Sequence, residues 1–265
     1  MKNIVALLCC GLIYIVTACH STKSTPPVLE KKHYVFTGSN RCDTAKNTGV
    51  DVSVAFVLLK DDTAGSRKIN DSLRQLAANS IVGWLDSATV AEHPDAKTDL
   101  AKAASLFAAD YEVVRKDIGS LGGCWEVKTT ADTVHVGPKA VTVKYETMAY
   151  TGGAHPNSSL SFYNFDRETG QMLTLADMVS DTTALLGLVE KAFREQQQVM
   201  PQNNLEERGY FLRDGRFFLP ANVGMSPRGM VFYYNPYEIA AYAVGPIQVT
   251  VPYGQLGGIL QKDWH

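Results

Sequence analysis

The sequence predicts an α+β fold in which helices cover an antiparallel β-sheet, with elements in the order β-α-α-β-β-β-β-α-α-β-β-β. Three observations lead there. A β-rich run near the start is followed by two long stretches of helical periodicity. The middle of the chain then breaks into short extended runs separated by turn residues, as an antiparallel meander does. The last third returns to strand after a second pair of helices. Strands and helices do not alternate throughout, which argues against a parallel doubly wound sheet.

Each element has its own signal. Val52 to Leu59, VSVAFVLL, is a β-rich run bounded by Gly49 and the Asp61-Asp62 turn. Ile69, Leu73, Leu76, Ala77, Ile81, Trp84 and Leu85 recur at helical spacing, which predicts an amphipathic helix over Arg67 to Ser87. A second helix follows His93-Pro94, with Leu100, Ala103, Phe107, Tyr111, Val114 and Ile118 on one stripe and Gly119, Gly122 and Gly123 at its end. CWEVKT, DTVHVG, AVTVKYETMAY and SLSFYNFD make the meander. The next helix opens at Thr174, with Asp177 three residues later as a capping box. A longer helix spans about Thr183 to Val199 and stops at Pro201. RFFLP, GMVFYYN and IQVTVPY are the closing strands.

The start of the chain speaks to location. Lys2 precedes an apolar run of 13 residues, Ile4 to Val16. That run is too short to span a bilayer and suits the apolar centre of a signal peptide. It ends in Val16-Thr17-Ala18-Cys19, which resembles the lipobox of bacterial lipoproteins, where cleavage precedes an acylated cysteine. The alternative is a secreted protein cut after Ala18. On the lipobox reading residues 1–18 are signal peptide, Cys19 is lipidated, and the protein is anchored by lipid to the bacterial cell envelope, facing the periplasm or the cell surface. Residues 19–32, polar and carrying Pro26-Pro27, read as a flexible tether. The globular part is then 33–265, about 230 residues, enough for one large domain or two packed halves, 33–150 and 151–257.

Loss of Lys2 takes the formal charge from −2 to −3, and no Lys/Arg-rich stretch interrupts the chain. Nothing here has the electrostatic footprint of a nucleic-acid binder. Cys9 and Cys10 leave with the signal peptide, so Cys42 and Cys124 remain as candidates for a disulfide in a compartment that permits one. Two independent thiols are the other reading.

Tyr150-Thr151-Gly152-Gly153-Ala154-His155-Pro156 closes one strand and leads to the next. NFDRETGQMLTLADM (Asn164 to Met178) and FYYNPYEIAAYAVGPIQVTVPYGQL (Phe232 to Leu256) follow in that order. Together, over roughly residues 50 to 257, they resemble the RsiV/PdaC-type extracytoplasmic domains. That group includes the ectodomain of a lysozyme-sensing anti-sigma factor and the accessory region of a peptidoglycan deacetylase. The resemblance implies binding of a protein or glycan, lysozyme-like or peptidoglycan-related, and supplies no reaction. The chain departs from the sensor in having a lipobox where the sensor has a transmembrane helix. It departs from the deacetylase in ending at GGILQKDWH without an appended catalytic domain.

Two readings of His155 compete. As chemistry, it pairs with Asp166 or Asp177 as base and orienter, or contributes to a metal site. Against that, the other histidines are scattered and neither H-E-x-x-H nor C-x-x-C occurs. As structure, Gly152 and Gly153 supply positive φ to a turn, Asp166 and Gly170 make the next turn, and Asp177 caps a helix. Ser226 lacks the G-x-S-x-G context of a nucleophile, and Glu206-Glu207 reads as solvated charge. Phe232, Tyr233, Tyr234, Tyr237 and Tyr242 crowd eleven residues, where alternate rings fill a core and the remainder suit a contact surface.

The expectation is therefore a non-catalytic envelope lipoprotein, more a binding module than an enzyme. Ligand contact is assigned to Tyr150, His155, Asn157, Tyr237 and Tyr242, with no metal and no cofactor. The rivals are a cell-wall hydrolase or deacetylase using His155 with an acidic partner, and a purely structural envelope component.

Overall fold

The computed structural model describes residues 27–36, 41–43, 45–118, 123–261 and Trp264. The signal peptide, Cys19, the tether as far as residue 26, and Gly119 and Gly122 lie outside the described residues.

The larger sheet is built on valine alternation. In β2 (Gly49–Leu59), Val50, Val52 and Val54 point into the core while Asp51, Ser53 and Ala55 are only partly covered. β1 (Leu29–Phe36) pairs with it antiparallel, from Leu29 opposite Leu59 to Phe36 opposite Val52. This corrects the tether boundary: Leu29–Lys32, assigned to residues 19–32 as linker, are already in the sheet. Tyr34 and Phe36 pack on the core, while Lys31 and Lys32 mark the exposed edge. Lysine is a common edge-strand residue that conceals a strand pattern from composition.

From β2 the chain crosses through α1 (Ala64–Val82), the short α2 (Ser87–Glu92) and α3 (Leu100–Ile118). It returns as β3 (Cys124–Val136), parallel to β2, with Gly49 opposite Cys124. The sheet is thus antiparallel except for this pair, because a two-helix crossover returns the chain to the end at which β2 began. Ile69, Leu73 and Ile81 of α1 and Phe107 and Tyr111 of α3 are fully buried against the sheet. Thr63 caps α1 by accepting from the Ser66 N–H, and the helix stops at Gly83, earlier than Ser87.

CWEVKT and DTVHVG form one strand, because β4 (Ala140–Tyr150) is long enough to pair with both, with a bulge at Thr133/His135. β5 (Asn157–Asp166) follows, and β6 (Met172–Leu173) pairs only with Asn164 and Phe165. The spatial order is β1-β2-β3-β4-β5-β6.

The capping box is present: Thr174 and Asp177 exchange bonds at the start of α4 (Leu175–Met178). α5 (Thr182–Gln196) follows. A second sheet, β7 (Val223–Ser226), β8 (Gly229–Tyr234) and β9 (Ile247–Pro252), is antiparallel throughout and is followed by the one-turn α6 (Tyr253–Leu256). RFFLP is not a strand. Phe217 is buried beside Phe193 and Tyr234, and only an isolated Arg213–Arg216 bridge marks the segment. The aromatic run reflects core packing without ladder pairing.

The layers are helices α1 and α3, the six-stranded sheet, the three-stranded sheet, and α5. Asn164 joins the two sheets. Its amide donates to the Val223 carbonyl at 2.8 Å and accepts from the Met225 N–H at 3.1 Å and the Thr142 hydroxyl at 2.8 Å. Gly224 allows the approach, since a Cβ there would lie 2.6 Å from the Phe162 ring. Among the described residues no helix is long and apolar enough to cross a membrane.

Candidate functional site

At one end of the large sheet, two loops far apart in sequence meet. The first connects β4 to β5. Gly152 and Gly153 have φ of 95° and 107°, in the region that L side chains avoid. Tyr150 closes this loop by donating its hydroxyl to the Gly153 carbonyl at 2.9 Å. His155 Nδ1 lies 3.0 Å from the Pro156 carbonyl oxygen. A carbonyl can only accept, so that contact requires the proton on Nδ1.

The second loop connects β8 to β9. Asn235-Pro236-Tyr237-Glu238 turns with the Glu238 N–H donating to the Asn235 carbonyl, and Glu238 in turn accepts from the Asn235 N–H, both at 3.0 Å. Proline followed by a residue of positive φ is the type II turn pattern. Tyr237 takes that position at φ 70° and is 58% exposed. A non-glycine residue there costs on the order of 1–3 kcal/mol, so the surroundings must hold it.

Asn235 and Asn222 do so. β6 covers only the far end of β5, leaving the nearer part of that edge unpaired by strand among the described residues. Asn235 accepts from the Leu160 N–H at 2.8 Å and donates to the Leu160 carbonyl at 3.0 Å. Asn222 accepts from the Phe162 N–H at 2.7 Å and also donates to the Leu160 carbonyl. Two side-chain amides thus satisfy the strand edge and pin the second loop beside the first.

The result is a row of three rings. His155 stacks on Tyr242 with centroids 4.1 Å apart and planes 18° off parallel. Tyr237 lies 5.3 Å beyond Tyr242, at 31°. The Tyr242 hydroxyl donates to the Pro156 carbonyl at 3.4 Å, tying the row to the first loop. Tyr242, His155 and Tyr237 are therefore brought together. Tyr150 is spent on closing its loop, and Asn157 is exposed at the start of β5 without joining the rings.

Beside the row opens a cleft of about 490 Å³, walled by Lys128, Glu146 and Met148 from the large sheet and Tyr233, Pro236 and Pro246 from the small one. Glu146 of this wall pairs with Lys144, two residues before it on β4, at 2.5 Å. Burial, and then the Glu146 carboxylate, raise the Tyr233 hydroxyl above the ordinary tyrosine range, keeping it neutral. Phe232 and Tyr234 on either side of it are fully buried, so the tyrosine-rich run divides by strand parity between core and cleft.

The acids raised as partners for His155 are elsewhere. Asp166 sits nine residues along β5 from Asn157, about 30 Å at the rise of a strand. It accepts from the N–H groups of Glu168 and Thr169. Asp177 is held in the capping box. Ser226 donates to the Gly229 carbonyl at 2.8 Å inside a hairpin, and Glu206 and Glu207 are exposed. Among the described residues no three His, Cys, Asp or Glu side chains are grouped to hold a metal ion. Cys42 and Cys124 form a disulfide, Cα atoms 5.6 Å apart, which ties the segment before β2 to the first residue of β3.

Sequence reasoning missed Asn222 and Asn235. Their only signal is an Asn-Pro pair and an isolated asparagine, since the strand edge they satisfy lies 60 to 75 residues away.

Residues 176–254 match a family described as "Protein of unknown function (DUF3298)". The match takes in Tyr237 and Tyr242 and leaves out the loop that carries His155. No curated protein matches the chain. Among solved structures, a member of the DUF3298 family from Bacteroides fragilis NCTC 9343 is similar with a TM-score of 0.66 at 21% identity, over 90% of this chain and 96% of that one. A DUF3298 family protein from Pseudomonas aeruginosa PAO1 gives 0.59 at 17% identity, over 89% and 95%. At such identities the likeness concerns the fold alone.

Proposed function

We propose that this protein is a non-catalytic lipoprotein of the bacterial cell envelope that binds a protein or glycan through the row His155–Tyr242–Tyr237. The observation that carries this reading is Tyr237 itself. A large ring is kept largely exposed on a backbone conformation that side chains disfavour, by a turn whose asparagine is tied to another strand. Exposed, rigidly held tyrosines are what contact surfaces use. The acids that a catalytic His155 would need are committed to a turn and a helix cap, which favours binding over hydrolysis. The resemblance to RsiV/PdaC-type domains points the same way and suggests lysozyme-like proteins or peptidoglycan fragments as ligands. Lipid attachment at Cys19 would hold the site near the membrane surface.

The test measures binding of lysozyme and of soluble peptidoglycan fragments to immobilised protein, wild type against the paired substitution Tyr237→Ala and Tyr242→Ala. Loss of about tenfold or more in affinity for one ligand, with the melting temperature retained within a few degrees, is expected. Equal binding by wild type and variant, or binding of neither ligand by folded wild type, overturns the reading. Membrane fractionation of Cys19→Ser tests the anchor: release or an uncleaved precursor is expected, and unchanged processing and retention would refute lipidation.

A further inference from the structure

A second cavity lies on the opposite, helix-covered face of the large sheet, between α1 and strands β4 and β5. It measures about 230 Å³ and takes its polar atoms from Asn79, Ser80, Ser161 and Tyr145 and its aromatic surface from Trp84 and Tyr163. No residue lining it carries a formal charge. A charged ligand would lose its hydration there with no ion to meet it. The volume is below the roughly 300–1,000 Å³ of pockets for drug-sized ligands. It matches a single six-membered sugar ring with its substituents better than a fused-ring cofactor.

The hydrogen-bond state of the walls narrows the ligand further. Tyr145 donates its hydroxyl inward to the Leu73 carbonyl at 2.9 Å. Ser80 donates inward to the Ala77 carbonyl at 2.7 Å. Both oxygens are left as acceptors, which complement a ligand that brings O–H donors. Burial raises the hydroxyls of Tyr145 and Tyr163, so both stay uncharged at ordinary pH. Trp84 is half-buried at the mouth, beside the exposed Gly83. Thr147 and Ser159, paired across β4 and β5, line both this cavity and the larger cleft beside the ring row.

We infer that this cavity is a binding site for one ring of a neutral saccharide, seated against Trp84 with its hydroxyls on Asn79, Ser80 and Ser161. This inference rests on the cavity's own chemistry and not on the ring row.

The three tryptophans make a direct test available. Trp125 and Trp264 are 7% and 3% exposed, leaving Trp84 as the accessible reporter. The full chain in mild detergent is titrated with triacetylchitotriose and maltotriose as neutral probes, and with a trigalacturonate as the charged control. Tryptophan emission and the indole N–H resonance of Trp84 are followed. Perturbation by a neutral probe at millimolar concentration is expected, with affinity about tenfold weaker in Asn79→Ala and in Ser161→Val, both of which keep Trp84. The wild-type Trp84 resonance decides the question even if a variant fails to fold. No shift with either neutral probe up to about 10 mM overturns the inference. So does preference for the charged probe, or unchanged affinity in both folded variants. Tyr237→Ala with Tyr242→Ala should leave this binding intact, so this inference and the preceding proposal can fail separately.

Discussion

His155 and Tyr242 lie face to face, centroids 4.1 Å apart, with Tyr242 also bonded to the residue that follows His155. The histidine is therefore a packed partner and not the free tip of its loop. Its removal should be felt as stability. A ring pair contributes about 0.5–1.5 kcal/mol beyond its area, so His155→Ala should lower the melting temperature by a few degrees, and His155→Phe should restore most of it. An unchanged melting temperature for His155→Ala would mean that the stack does not persist in solution.

Gly153 offers a clean measure of backbone cost. Its φ is 107° and a Cβ there would meet nothing within 4 Å. Any destabilisation by substitution is then conformational and not steric. Gly153→Ala and Gly153→Val should both cost on the order of 1–3 kcal/mol, measured by chemical denaturation. A neutral Gly153→Ala would show that the loop relaxes to negative φ.

The paired asparagines give a prediction that couples stability to the site. Asn235→Ala removes both a donor and an acceptor from Leu160. Asn222 still donates to the Leu160 carbonyl, so the part-buried Leu160 N–H is what loses its partner, at a cost of about 1–3 kcal/mol. Amide exchange at Leu160 should accelerate, and at Phe162 in Asn222→Ala, while β2 amides remain protected. Exchange unchanged at both residues would show that water replaces the side chains at no cost.

Cys42 and Cys124 should both be unavailable to thiol reagents in denatured, unreduced protein taken from its native compartment. Their sequence separation is 82, and closing a loop of that size stabilises by at most about 4.5 kcal/mol on the chain-entropy treatment. Replacing both with serine should lower the denaturation midpoint accordingly. Two labelled thiols would reject the bridge.

Local signals carried the sequence reading well where the physics is local. The Thr174/Asp177 capping box and the buried stripe of Phe107 and Tyr111 stand where spacing put them. The extended run AVTVKYETMAY, bounded by turn residues, is β4 to the residue. Apart from the end of α1, which stops at Gly83 and not Ser87, the failures are long-range. β1 is a strand because β2 needs a partner, and its lysines alone do not say so. RFFLP has strand composition, but its rings are claimed by Phe193 and Tyr234 from other elements. For the site, Gly152, Gly153, His155, Tyr237 and Tyr242 were legible as unusual residues. Their meeting was not, because it depends on Asn222 and Asn235 reaching across from the small sheet.

Those two asparagines have a consequence for how the protein behaves in a crowd. An open strand edge is a template on which another chain can crystallise its own strand, the first step toward fibrils and precipitates. Here that step is blocked by two carboxamides, each a single nucleotide change away from serine, threonine or isoleucine, none of which brings the charge that protects an edge. A chain carrying such a change could keep its cores and still become sticky. Loss of solubility, before any loss of fold, is the phenotype to look for in variants at Asn222 and Asn235.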